Sequence, residues 1–200
     1  MSPDRKPLLL LLLSGCMASG GEDPEAPSPD AGAAPPEVDV RSRAPALKRK
    51  TGAQLARDLS NALEIERASL CRELGRYDCV DEAHRIVLGG VAPYALRIDE
   101  PLPAPGVGSP IATDRLALSA CGARARADFT GAPVVFGALA RGAPNGRREA
   151  VRALYDRLLG RDPDPAELEL LSSWTQPNMT DEEFATLACF VLATPLEHLR

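Results

Sequence analysis

The sequence predicts a mainly α fold: a small, disulfide-stapled domain of about five to six helices, preceded by a disordered stalk. Three observations carry this expectation. Hydrophobic residues make up 44% of the 200 positions but aromatic residues only 4%. The core must therefore come from Leu, Val, Ile and Ala, a composition that favours helices over a β-sandwich, whose strands draw on Tyr, Phe, Trp and Thr. From Thr51 onward, apolar residues recur at helical intervals between capping residues. Four cysteines, Cys71, Cys79, Cys121 and Cys189, fall within that helical part.

Each element has its own warrant. Thr51 and Gln54 have capping-box spacing, and Leu55, Leu59, Ala62, Leu63, Ile65, Ala68 and Leu70 follow at helical intervals, which predicts a helix closed by Gly75. A shorter helix is expected from Asp78 through Val80, Ala83, Ile86, Val87 and Leu88, stopped by Gly89-Gly90. Residues 91–109 are rich in Pro and Gly and read as an irregular connection. Ser109-Pro110 reads as a cap with a first-turn proline, opening a helix to about Ala127 that buries Leu116, Leu118, Ala120 and Cys121. Pro133 to Leu139 fits either a short strand or a turn packed on the core. Arg148 to Leu159 is a helix closed by Gly160. Asp164-Pro165-Ala166-Glu167 opens the next, running to Trp174, and the Thr180–Glu183 capping box opens the last, to about Ala193.

The remaining cysteine, Cys16, stands apart from these four. Residues 1–16 read MSPDRKPLLLLLLSGC: Arg5 and Lys6, then an apolar run from Leu8 to Leu13. That is the order of a secretory signal peptide. The run is too short to span a membrane, which takes about 20 apolar residues. The ending Leu13-Ser14-Gly15-Cys16 resembles the lipobox of bacterial lipoproteins. The resemblance implies cleavage before Cys16, diacylation of that cysteine, and a membrane anchor. Met17 follows, where Asp would mark inner-membrane retention in that family, so the outer membrane is the expected destination. The chain then divides into a signal peptide (1–15), a lipid-anchored stalk (16–50) and a helical domain (51–200). The stalk is rich in Pro, Gly, Ala and acid, cannot bury enough surface to order itself, and ends in the basic cluster Arg41, Arg43, Lys48, Arg49 and Lys50. That cluster is expected to be solvated, with anionic lipid as the alternative.

In an exported domain, an even number of cysteines reads as two disulfides. Three connectivities are possible. Cys71 and Cys79 flank a tight turn and are expected to be close, which leaves Cys121 with Cys189. A zinc site would want paired short spacings such as C-x2-C, and a c-type haem would want C-x-x-C-H; neither occurs.

Within the last quarter of the chain, Tyr155, Leu159-Gly160-Arg161, Pro163-Asp164-Pro165 and Trp174 resemble a helical module of unknown function in secreted bacterial proteins. Similar helix pairs accompany cytochrome-type modules in planctomycetes and myxobacteria. Thr194-Pro195-Leu196-Glu197 departs from the module's usual ending. The resemblance implies a fold and an extracytoplasmic setting, and no activity.

The charge of −5 opposes nucleic-acid binding, which needs a basic face. P-loop, G-x-S-x-G, H-E-x-x-H and Rossmann glycine patterns are absent from the sequence. Of the 2 histidines, His84 lies near Asp78, Asp81 and Glu82 and is the one candidate for acid–base chemistry, while His198 sits at the C-terminal end. Asp162, Asp164 and Glu167 suggest calcium but lack an EF-hand ligand loop; helix capping accounts for them. No cofactor and no metal is expected. The leading expectation is a non-enzymatic, membrane-anchored binding or assembly module with an exported protein as partner. The alternatives are an accessory subunit of an envelope redox complex and a small hydrolase using His84.

Overall fold

The computed structural model describes residues 49–102 and 106–195. Contacts divide the chain into Met1–Arg43 and Ala44–Arg200, and the described residues belong to the second unit. The expected signal peptide, Cys16, His198 and the part of the expected stalk before Arg49 lie outside the described residues.

The fold is mainly helical. Helix α1 (Gly52–Leu63) leads through a 3₁₀ turn (Arg67–Ser69) to a two-stranded antiparallel hairpin, β1 (Arg72–Glu73) and β2 (Tyr77–Asp78). A π-turn (Cys79–Ala83), the single-turn α2 (Pro93–Leu96) and the long α3 (Gly108–Thr130) follow. The single-turn α4 (Gly137–Ala140) precedes α5 (Gly146–Leu154), which continues as a π-turn through Tyr155–Leu159. Helices α6 (Pro165–Ser172) and α7 (Asp181–Ala193) complete the described part.

Helix α3 is the spine. Its buried positions are Ser109, Ala112, Thr113, Leu116, Ala117, Ala120, Cys121, Arg124, Ala125 and Asp128, a stripe of helical period along its whole length. The apolar middle of that stripe packs on α7, which buries Phe184, Ala185, Ala188, Cys189 and Leu192, and on α1 through Leu55, Leu59 and Leu63. Alanines on α3 and α7 let the backbones approach, so the Cα atoms of Cys121 and Cys189 lie 5.6 Å apart and their disulfide crosses the seam. The second disulfide joins Cys71 to Cys79 at the base of the hairpin, Cα to Cα 5.5 Å.

The polar ends of the stripe are filled from elsewhere in the chain. At the N-terminal end, Arg49 donates to Ser109 Oγ (2.8 Å) and Thr113 Oγ1 (2.7 Å). Lys50 pairs with Asp58 at 2.8 Å. At the C-terminal end, the fully buried Asp128 carboxylate takes Arg124 Nη2 at 2.6 Å and the backbone N–H groups of Val134, Val135 and Phe136 at 2.9, 2.9 and 2.7 Å. Those three amides settle the ambiguous segment after Pro133: it is a turn, not a strand, with Val135 and Phe136 driven into the core.

Several expectations are corrected. The first helix ends at Leu63, not Gly75, because Glu64 turns left-handed (φ 49°) and its N–H closes on Ser60 and Asn61 carbonyls. Ala62 and Glu64 carbonyls then accept from Arg157 (3.0 Å) and Arg124 (3.3 Å), so two guanidiniums cap the helix end. The helix expected from Asp78 to Leu88 is one π-turn followed by irregular turns, with Asp78 still its N-cap. Ser109 lies inside α3 rather than capping it; its hydroxyl donates to the Val87 carbonyl. Leu118 faces outward at 46% exposure. Helix α6 stops at Ser172, two residues short of Trp174.

The two disulfides should differ in worth. In the loop-entropy account, Cys121–Cys189 with a separation of 68 contributes about 4 kcal/mol, against about 2.5 kcal/mol for Cys71–Cys79 with a separation of 8. Urea unfolding of the paired Cys→Ala variants checks this. The larger loss is expected for Cys121 with Cys189, and the reverse order would contradict the account.

Candidate functional site

The one histidine among the described residues sits where three elements meet. The hairpin presents Glu73 inward, the turn after Cys79 presents His84, and the solvent side of α3 presents Arg115. His84 Nε2 lies 2.9 Å from Glu73 Oε1, and Arg115 Nη1 donates to the same oxygen at 2.5 Å. The His84 hydrogen bond and then the Arg115 one hold the Glu73 carboxyl below its usual range. The carboxylates expected beside His84 are engaged elsewhere. Asp78 and Asp81 bind Arg67 at 3.2 and 2.9 Å, and Glu82 accepts from the Asp78 N–H at 2.6 Å. Burial works against the Asp78 charge, yet the N–H groups of Asp81 and Val80, with Arg67, outweigh it and lower its pKa.

This places a carboxylate against an imidazole, the second and third members of a hydrolytic triad. The first member is missing from the arrangement. Among the described residues no hydroxyl or thiol bonds to His84, and Cys79, five positions earlier, is bound to Cys71. A groove of about 380 Å³ runs beside His84 over Ile86, Val87, Ala92 and Leu96. A wider one, about 680 Å³, follows the first turn of α7 past Met179 and Leu187. Its helix terminus is already capped, since Thr180 and Glu183 satisfy one another and hold Glu183 below its usual pKa.

The second polar cluster falls on Tyr155, Gly160, Arg161, Asp164 and Pro165. Gly160 (φ 65°) closes the turn after α5 in the left-handed conformation. The chain folds back, and Arg161 lies over the Tyr155 ring (4.9 Å) and grips both oxygens of Glu167 at 2.8 and 2.9 Å. Glu167 also accepts from the Asp164 N–H (2.8 Å) in a capping box behind Pro165. Tyr155, Gly160, Arg161, Asp164 and Pro165 thus form one helix–turn–helix staple. Asp164 caps α6, and the Glu167 oxygens accept from Arg161 and from the Asp164 N–H. Among the described residues no group of three His, Cys, Asp or Glu side chains could hold a metal.

Sequence reasoning missed Glu73 and Arg115 as partners of His84, because both come from elements separated along the chain. It also missed the Arg124–Asp128 pair, although the i,i+4 spacing was available as a signal.

The fold and its clusters define a class: a mainly α, disulfide-stapled domain whose ionic groups hold helices together. No family model matches the chain, no curated protein matches it, and no solved structure matches it.

The staple has a pH signature. Arg161, then the Asp164 N–H, lower the Glu167 pKa from 4.5 to about 2. A depressed carboxylate stabilises the fold fully above its unfolded pKa, and that contribution fades as pH falls from about 4.5 through about 2. NMR titration should find Glu167 with a midpoint near 2, moving up toward the ordinary glutamate range in Arg161→Ala; an ordinary midpoint in the parent chain would contradict the staple.

Proposed function

We propose that this chain is a lipid-anchored cell-envelope protein, tethered through Cys16, whose helical domain serves as a non-enzymatic binding or assembly module for another exported protein. The observation that carries the anchor is the segment Arg5 to Cys16, with its basic start, apolar run and small residues before cysteine. Two acyl chains hold a protein stably where one is marginal. None of the described helices is long and apolar enough to cross a membrane.

Support for a module without chemistry comes from where the charges go. Glu73, Asp78, Asp128 and Glu167 each meet an arginine, a backbone N–H or both. The disulfides suit the oxidising compartment that an exported chain reaches.

In cells labelled with a palmitate analogue, Cys16→Ser should abolish label on this chain and move it from the membrane to the soluble fraction. Retained label or retained membrane association would overturn the anchor. Co-purification from detergent-solubilised envelopes tests the module: a partner protein should accompany the chain, recovery of the chain alone under mild conditions counts against assembly, and haem in the eluate redirects the reading to a redox accessory subunit.

A further inference from the structure

The hairpin tip carries a leucine that its own fold does not use. Leu74 is 90% exposed and left-handed, with φ 54°, beside Gly75 at φ 69°. That conformation strains any residue with a Cβ, and leucine recovers nothing by burial here. Gly or Asn would make the same turn more cheaply.

The neighbours of Leu74 are equally unspent. Arg72 donates only to carbonyls, of Ala68 at 3.2 Å and Arg76 at 3.3 Å. Arg76 lies over the Tyr77 ring, 5.1 Å from its centre, and Tyr77 is itself exposed. Neither arginine meets a carboxylate among the described residues. Glu73, between them in sequence, is taken by Arg115 and His84. The nearby Asp78 and Asp81 are taken by Arg67. The tip is also rigid: the Cys71–Cys79 disulfide closes its base and the Glu73–Arg115 bridge braces it on α3. A braced finger gives up little conformational freedom on docking.

We propose that this tip, Leu74 with Tyr77, Arg72 and Arg76, docks on an anionic lipid surface. The inference rests on the lipid-anchored reading above. Guanidiniums pair with headgroup phosphates, a tyrosine settles at the headgroup boundary, and a leucine at the apex enters the acyl edge. Each contact is weak alone. The anchor keeps the surface at high effective concentration, so weak contacts suffice to set the orientation of the domain.

The test uses the mature chain purified in detergent and returned to vesicles with brominated acyl chains, of phosphatidylcholine alone or with phosphatidylglycerol. Trp174 is the only tryptophan; Trp174→Phe removes it, and Leu74→Trp places the probe at the tip. Emission should fall at least about twofold in the phosphatidylglycerol vesicles and recover at high salt or without the anionic lipid. In the control, Leu170→Trp on the exposed side of α6 should stay unquenched. No quenching at the tip, or equal quenching at both positions, overturns the docking. Intact mass reads the acyl group on Cys16 separately: its absence overturns the anchor, while quenching by added vesicles still decides the tip. Leu74→Gly should leave the melting temperature unchanged or raise it, and a drop would show that the leucine serves its own fold and would overturn the proposal.

Discussion

Asp128 brings a full negative charge into a position that water does not reach, and the surrounding chain is arranged around that fact. An isolated buried carboxylate is prohibitively costly. Here Arg124, one turn back on α3, neutralises it, and three successive backbone N–H groups complete its shell. Those amides belong to the turn between α3 and α4, so satisfying the charge fixes the path of the chain from the spine helix into the second half of the domain. Arg124 in turn reaches the Glu64 carbonyl at the end of α1. One ion pair thereby ties together α1, α3 and the entry to α4. Such a pair adds little net stability compared with an apolar replacement, but breaking it costs about 3–5 kcal/mol. Arg124 Nε is buried without a partner among the described residues, so part of its hydrogen-bonding capacity is lost to gain this geometry.

The helical class was legible because composition, capping and periodicity agree. The Thr51, Asp164 and Thr180 capping boxes all mark real helix starts, since a cap is a local device spelled out within four residues. The tight turn between Cys71 and Cys79 pointed to their bridge and left Cys121 with Cys189, and these are the bridges in the structure. What sequence could not give was decided by contacts between distant segments. The apolar rhythm continues from Leu63 to Leu70, and Leu70 is indeed buried, but the chain reaches that site by a left-handed turn at Glu64 stabilised by arginines about 60 and 90 positions away. The buried face of α3 was only half visible, because its ends are Ser109, Thr113, Arg124 and Asp128. Polar residues on a buried face read as surface until their partners are known.

The candidate site shows the same division. His84 was identifiable as the residue with acid–base potential, yet its partner comes from the hairpin rather than from its own turn. The Tyr155–Arg161–Glu167 staple lies on residues that stand out as a motif in the sequence. Their geometry explains that pattern through folding alone: a left-handed glycine, a stacked guanidinium and a capped helix. The conspicuous motif in this chain is a staple between helices, with Arg161 bracing Glu167 and Tyr155.

The account stands on Asp128 closing the α3–α4 turn. Native-state hydrogen exchange at Val134, Val135 and Phe136 tests it most directly, because those N–H groups lie in a short irregular turn that would otherwise exchange by local opening. The account predicts that they exchange as slowly as the core amides of α3 and α7, through global unfolding. Exchange at the rate of an open loop, while α3 and α7 remain protected, would contradict it.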